Sequence, residues 1–181
     1  MSARDKIFDA LKDRRQTPSF FPVPKVSHSV FDDLAAVFGQ NVKAAGGEVV
    51  MLKNPYRDEI VKHFPKEGEV VDTREEVSSI PYKDEIDLAI IEAEFGVAEN
   101  GAVWIDPKER YPREFLTLSE NIAVVLKKDA IVDTMHEAYG RIDLFGVSYA
   151  LFMAGPSKTA DIEQALVVGA HGAMCMKVFL Y

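Results

Sequence analysis

Apolar positions in the first quarter of the chain recur at helical spacing. Ile7, Ala10 and Leu11 share one face of residues 3–15, which predicts a short surface helix. Val30, Leu34, Val37, Phe38 and Val42 repeat the pattern from Ser29 to Ala45, and Gly46-Gly47 supplies the stop. Between them, Thr17-Pro18-Ser-Phe-Phe-Pro22-Val-Pro24 breaks regular structure and predicts an extended segment, with Phe20 and Phe21 as its anchors. Residues 1–27 therefore read as an N-terminal helix and proline-rich arm, serving either packing or oligomer contact. Residues 28–181 read as one α/β domain.

The period then shortens. Glu48-Val-Val-Met-Leu52 is a β-rich run, and Asn54-Pro55 opens a helix that reaches Phe64. Glu69-Val-Val-Asp72 is the next strand, with Thr73 and Glu76 as a capping box behind it. Helix and strand alternate so far, which favours parallel strands with crossover helices. Ile86 to Ala98 and Ala102-Val-Trp-Ile105 are then separated by Glu99-Asn100-Gly101, and Asn-Gly between apolar runs predicts an antiparallel hairpin. Residues 107–120 are a charged connection whose Lys108, Arg110 and Arg113 suit either a solvated loop or a lid over an anion. Asn121 to Leu126 is a strand, Asp129 to Gly140 a helix, Val147 to Ala154 a strand, and Lys177 to Tyr181 the last strand. The expected fold class is α/β with a mostly parallel sheet plus a hairpin.

The stretch from Phe152 to Gly172 carries the densest candidate chemistry. Its apolar run meets Gly155-Pro156, after which Ile162, Ala165, Leu166 and Gly169 repeat at helical spacing. A helix opening there would present free backbone N–H groups from Ser157 onward, a place for a carboxylate or phosphate. Ser157, Thr159, Asp161 and Glu163 suit either capping and dipole complementation or ligand binding. No capping box explains the acids, since Ala160 and Ile162 stand three residues after Ser157 and Thr159. Lys158 is a candidate anion partner, although Gly-Pro-Ser-Lys-Thr is not a P-loop. His171 suits either a helix C-terminus or proton transfer.

Composition narrows the partners. With 21 basic and 29 acidic residues the net charge is −8, which disfavours a nucleic-acid backbone. No apolar run approaches the roughly 18 residues of a membrane span, and the N-terminal pattern is amphipathic rather than a signal segment. The single cysteine, Cys175, excludes a disulfide or a thiolate-ligated cluster within these residues. It sits in an apolar run and reads as a buried thiol. His28, His63 and His136 lack neighbouring ligands, so no metal site is expected. A reducing cytoplasm fits this set.

Three motifs carry a resemblance. Val97-Ala-Glu-Asn-Gly101, Gly155-Pro-Ser-Lys-Thr-Ala-Asp-Ile-Glu163 and Leu166-Val-Val-Gly-Ala-His-Gly172 are similar to signatures of the LutC/YkgG family, the lactate-utilisation (LUD) domain. The resemblance covers roughly residues 45–181. Two positions depart from it: Asn100-Gly101-Ala102 replaces Thr-Gly-Thr, and Ala173 replaces a proline. The resemblance implies a three-layer sandwich like the NagB/RpiA/CoA-transferase group. It implies a part in oxidising L-lactate to pyruvate beside separate iron–sulfur subunits, with no cofactor in this chain. It also implies Glu99, Asp161 and His171 as catalytic groups, with Asn100, Gly101, Gly155, Pro156, Ser157, Lys158, Thr159, Glu163 and Gly172 binding a small carboxylate or phosphorylated ligand. A non-catalytic interaction module of an oxidoreductase complex is the alternative, as is a small-anion, acyl or sugar-phosphate enzyme on the same scaffold.

Overall fold

A computed structural model describes residues 3–12, 31–64, 68–75, 86–108, 110–143, 145–159, 167–169 and 171–181. The proline-rich arm with Phe20 and Phe21, Glu76 of the expected capping box, and Asp161, Ile162 and Glu163 lie outside the described residues.

Helix α1 (Ala3–Lys12) matches its periodicity, and its Ile7 and Phe8 are exposed. Helix α2 (Leu34–Ala44) begins where Asp33 accepts from the Ala36 N–H at 3.0 Å and buries Phe38 and Val42. Strand β1 (Glu48–Met51) follows the Gly46-Gly47 stop. Helix α3 (Arg57–Val61) starts later than Asn54-Pro55 suggested, with Tyr56 at its cap and no side-chain capping bond. Strand β2 (Val70–Asp72) leads toward β3 (Ile86–Glu92). The long apolar run expected as one strand divides at Ala93-Glu94, and β4 (Phe95–Val97) turns back into β5 (Ala102–Ile105).

Helix α4 (Phe115–Leu118) precedes β6 (Ser119–Leu126). The helix expected from Asp129 starts later. Residues Lys128–Ala130 make a single 3-10 turn and Ile131–Val132 form β7 beside Gly96 and Val97, as β-branched residues prefer. Helix α5 (Met135–Arg141) opens only at Thr134, which accepts from the Glu137 N–H at 3.3 Å. Strand β8 is Leu151–Met153. The helix expected after Gly155-Pro156 does not begin there. Lys158–Thr159 (β9) instead pairs antiparallel with Val167–Val168 (β10), and two adjacent valines favour the extended form. Strand β11 (Cys175–Leu180) ends the described elements.

The larger sheet has the order β1-β11-β6-β3-β2, and every pair in it is parallel. The smaller sheet, β7-β4-β5-β8, contains the antiparallel hairpin. Alternation along the central strands builds two cores. Ile122, Val124 and Leu126 of β6 join α2 and Val103 and Ile105 of β5 on one face. Ala123 and Val125 join Phe179 and Ile60 of α3 on the other. A third cluster, Phe95, Val97, Trp104, Val132 and Ala138, lies between the outer face of the smaller sheet and α5. The architecture is an α/β three-layer sandwich, with α3 on one side of the parallel sheet and α2 with the smaller sheet on the other. Complete burial of a side chain such as Phe38 or Phe179 contributes about 1.5–3 kcal/mol.

Candidate functional site

The hairpin turn is built as its sequence requires. Gly101 takes φ +71°, and its N–H donates to the Val97 carbonyl at 2.9 Å. The Asn100 side-chain oxygen accepts from the Ala102 N–H at 3.0 Å. A Cβ on Gly101 would stand 2.4 Å from the backbone nitrogen of Val42, so only glycine lets the turn meet α2 this closely. Asn41 of α2 holds the turn from the other side, donating its amide to the carbonyls of Ala98 at 2.7 Å and Glu99 at 3.2 Å. The Glu99 carboxylate accepts from the Met135 N–H at 2.7 Å, where a negative group complements the first turn of α5. Its own N–H donates to Asp133.

The second turn rests on the same helix one turn further along. Gly155 is buried at φ +73°, and a Cβ there would lie 2.3 Å from the Ala45 carbonyl oxygen. The Lys158 ammonium donates to that same oxygen, capping the C-terminus of α2. The Ser157 N–H donates to the Ala173 carbonyl at 2.9 Å, and its carbonyl accepts from Gly169 at 3.0 Å. The open helix N-terminus expected from Ser157 onward is thus replaced by a hydrogen-bonded turn. Gly172 packs onto Ser157: a Cβ on it would be 3.2 Å from that of Ser157.

A cleft of about 170 Å³ is lined by Thr117, Tyr149, Gly155, Ser157, His171 and Gly172, with Leu151 and Met153 as part of its apolar wall. It adjoins a wider depression of about 670 Å³ that shares Thr117, His171 and Gly172 and is rimmed by Leu118 and Met174. Gly155, Ser157, His171 and Gly172, separated in sequence, are therefore gathered in one place. Pro156 and Thr159 flank them. Glu99, Asn100 and Gly101 are joined to this cleft through α2 and through the pairing of β5 with β8, and do not line it. Asp161 and Glu163 lie outside the described residues. Thr117 and Tyr149 were not singled out by sequence; the Arg113 guanidinium stacks 5.6 Å from the Tyr149 ring centroid and fixes it. A tyrosine beside an apolar strand was the one available signal, because its hydroxyl needs a polar exit.

The chemistry on offer is polar and protic. Hydroxyls of Ser157 and Tyr149 suit the oxygens of a small carboxylate, while that of Thr117 donates to the Glu114 carbonyl at 3.2 Å, and an imidazole stands beside them. Cys175 adds no nucleophile, since burial raises its thiol pKa and Glu48 acts in the same direction against Lys177. Among the described residues no three metal-binding side chains converge.

The LUD domain family model matches residues 54–181, which contain the whole cleft. The chain is 30% identical over 143 residues to lactate utilization protein C of Bacillus subtilis (strain 168), covering 71% of this chain and 60% of that protein. It is 28% identical over 148 residues to lactate utilization protein C of Geobacillus sp. (strain WCH70), covering 73% and 61%. The chain thus spans about three-fifths of the length of these curated relatives. In fold it is similar to a DUF162 family protein from Deinococcus radiodurans, with a TM-score of 0.56 and 14% identity over 81% of this chain and 95% of that one.

Proposed function

Because the chain belongs to the LUD domain family, we propose that it is a LutC-like component of an L-lactate-oxidising system. In this reading it holds the substrate carboxylate in the cleft of Gly155, Ser157, His171 and Gly172. The observation that carries the reading is that this cleft gathers hydroxyl donors and an imidazole from separate parts of the family-matched region. Its volume of about 170 Å³ suits a molecule of a few heavy atoms.

Oxidation of lactate to pyruvate turns the C2 hydroxyl into a carbonyl and releases two electrons and two protons. Ser157 and Tyr149 hold the carboxylate in this reading, and His171 accepts the hydroxyl proton. The C2 hydrogen leaves with its two bonding electrons to an acceptor held by a partner, which passes the electrons on to separate iron–sulfur proteins and the remaining proton to solvent. One cysteine among 181 residues does not fit a four-thiolate cluster in this chain, so no step is assigned to such a group here. In this reading the system works in the cytoplasm. Among the described residues no helix is long and apolar enough to cross a membrane.

A second reading, a non-catalytic module, draws on Glu99. Its carboxylate is engaged as a helix cap, and exposed Leu118 and Met174 flank the cleft. Titration with lactate and pyruvate separates the two. Under the first, lactate at 100 times its Kd stabilises the fold by about 2.7 kcal/mol, and Ser157→Val and His171→Gln lose this shift. They also slow lactate oxidation by the reconstituted complex. Absence of a shift, with full activity of His171→Gln in the complex, refutes the catalytic reading and leaves the module.

A further inference from the structure

Strand β6 runs from the cleft to the opposite edge of the parallel sheet, roughly 25 Å away at a rise of about 3.3 Å per residue. At that edge the carboxyl ends of β3 and β6 form a separate pocket of about 440 Å³. It is lined by Glu92, Glu94, Lys108, Arg110 and Lys127, with Ala93 at its base. Outside the carboxyl ends of parallel strands is where open α/β sheets hold their ligands. The cations arrive from two directions. Lys127 leaves β6 directly after Leu126, while Lys108 and Arg110 come from the charged loop behind β5.

That loop is built rather than merely solvated. Asp106, itself buried, accepts from the Lys108 N–H at 3.0 Å. Lys108 is the one non-glycine residue with positive φ, at 47°, among the described residues, a conformation that surrounding structure must impose. The Arg110 N–H donates to the Pro107 carbonyl at 2.8 Å, and the next residue, Tyr111, is buried against Phe115 in the main core. Lys108 pairs with Glu94, and Arg110 stands 3.8 Å from Glu92. All four side chains are at least a third exposed, so these pairs are weak and a ligand of higher charge displaces them readily. Lys127 has no carboxylate partner among the described residues.

We propose that this pocket binds a phosphoryl group, either free phosphate or the phosphate of a small ester. Among the described residues that line it, three cations face two carboxylates. A phosphoryl dianion offers three terminal oxygens, one for each cation. A monocarboxylate brings one charge and two oxygens, which is what Glu92 and Glu94 already supply.

The test is isothermal titration at constant ionic strength with inorganic phosphate, sn-glycerol 3-phosphate and acetate. Saturable binding of phosphate or the ester, with acetate silent, is expected. Lys127→Glu should weaken it about tenfold or more, while Lys127→Arg retains it and Lys43→Glu on the exposed face of α2 changes nothing. Tighter binding of the ester than of phosphate identifies an ester site, and equal binding a free-phosphate site. If Lys127→Glu fails to fold, as judged by Trp104 emission, Lys127→Met is measured in its place. No saturable binding of either probe to the wild type overturns the proposal. So does equal weakening by Lys127→Glu, or by Lys127→Met where that is measured, and Lys43→Glu.

Discussion

Replacing Arg74 with methionine should destabilise the protein more than any surface substitution, because of what it leaves behind. Asp72 ends β2 with its side chain 2% exposed, and Arg74 is 22% exposed over it. The guanidinium donates to both carboxylate oxygens, at 2.8 and 2.5 Å, and to the Pro55 carbonyl at 2.5 Å. This contact with Asp72 raises the Arg74 pKa despite the opposing effect of burial, so the guanidinium stays charged throughout the working pH range. After substitution the carboxylate keeps the Arg74 N–H, at 3.1 Å, and no guanidinium. Removing one partner of a buried ion pair costs about 3–5 kcal/mol. For 181 residues at roughly 2.1 cal/mol/K each, that lowers Tm by about 8–13 °C. Urea denaturation followed by Trp104 is the assay. The chain has one tryptophan, it packs against Phe95 and Phe152, and it is far in sequence from the pair. The Asp72→Asn/Arg74→Met double substitution should lose less than Arg74→Met alone, since no charge is then stranded. A loss under about 1 kcal/mol for Arg74→Met, or a double variant worse than the single one, would refute the reasoning.

Gly155→Ala should cost about 2–5 kcal/mol, because its Cβ meets the Ala45 carbonyl in a left-handed backbone. Gly146→Ala, at φ +77° with open space around it, should cost only about 1–2 kcal/mol, and equal losses in urea melts would contradict this. Burial raises the Tyr111 pKa to about 12, so the folded state retains a proton that the unfolded state releases above pH 10. Stability is therefore lost as pH rises from about 10 to 12, by about 1.4 kcal/mol per unit. Tyr111→Phe should remove that slope in pH-dependent denaturation, and an unchanged slope would exclude Tyr111 as its source. Cys175 should react with a thiol-directed disulfide reagent at pH 8 more slowly than free cysteine, since burial favours its neutral form; a faster rate would show an activated thiol.

What could be read from the sequence depended on how local the cause was. Asn100-Gly101 announced its hairpin because the turn residues carry the conformation themselves. The run from Asn121 to Leu126 read as a strand, and its apolar residues turn out to be buried on both faces of the sheet. The division of the next run at Ala93-Glu94 was invisible. The Ala93 N–H goes to Val125 in one sheet and the Glu94 N–H to Trp104 in the other, a switch set by tertiary partners. The helix expected behind Gly155 failed at its start because Val167 and Val168 pair with Lys158 and Thr159, a choice that spacing alone does not reveal. At the candidate site, Gly155, Ser157, His171 and Gly172 were legible as motif members. Thr117 was not, since it enters from α4, remote in sequence, and Tyr149, just ahead of β8, lay in a stretch that read only as a strand.

The position of β11 has a consequence for how the chain is made. It is the last of the five parallel strands to be synthesised, yet it lies between β1 and β6, with Glu48 in register with Lys177 and Asn121 with Cys175. Until residues 175–180 emerge, β1 has no neighbour and one edge of β6 stays open. The nascent polypeptide must therefore hold Val49 without a strand partner until β11 is made, and Val124 and Val125 with one edge open from their synthesis until then, which is when a chaperone that covers apolar strands would matter most.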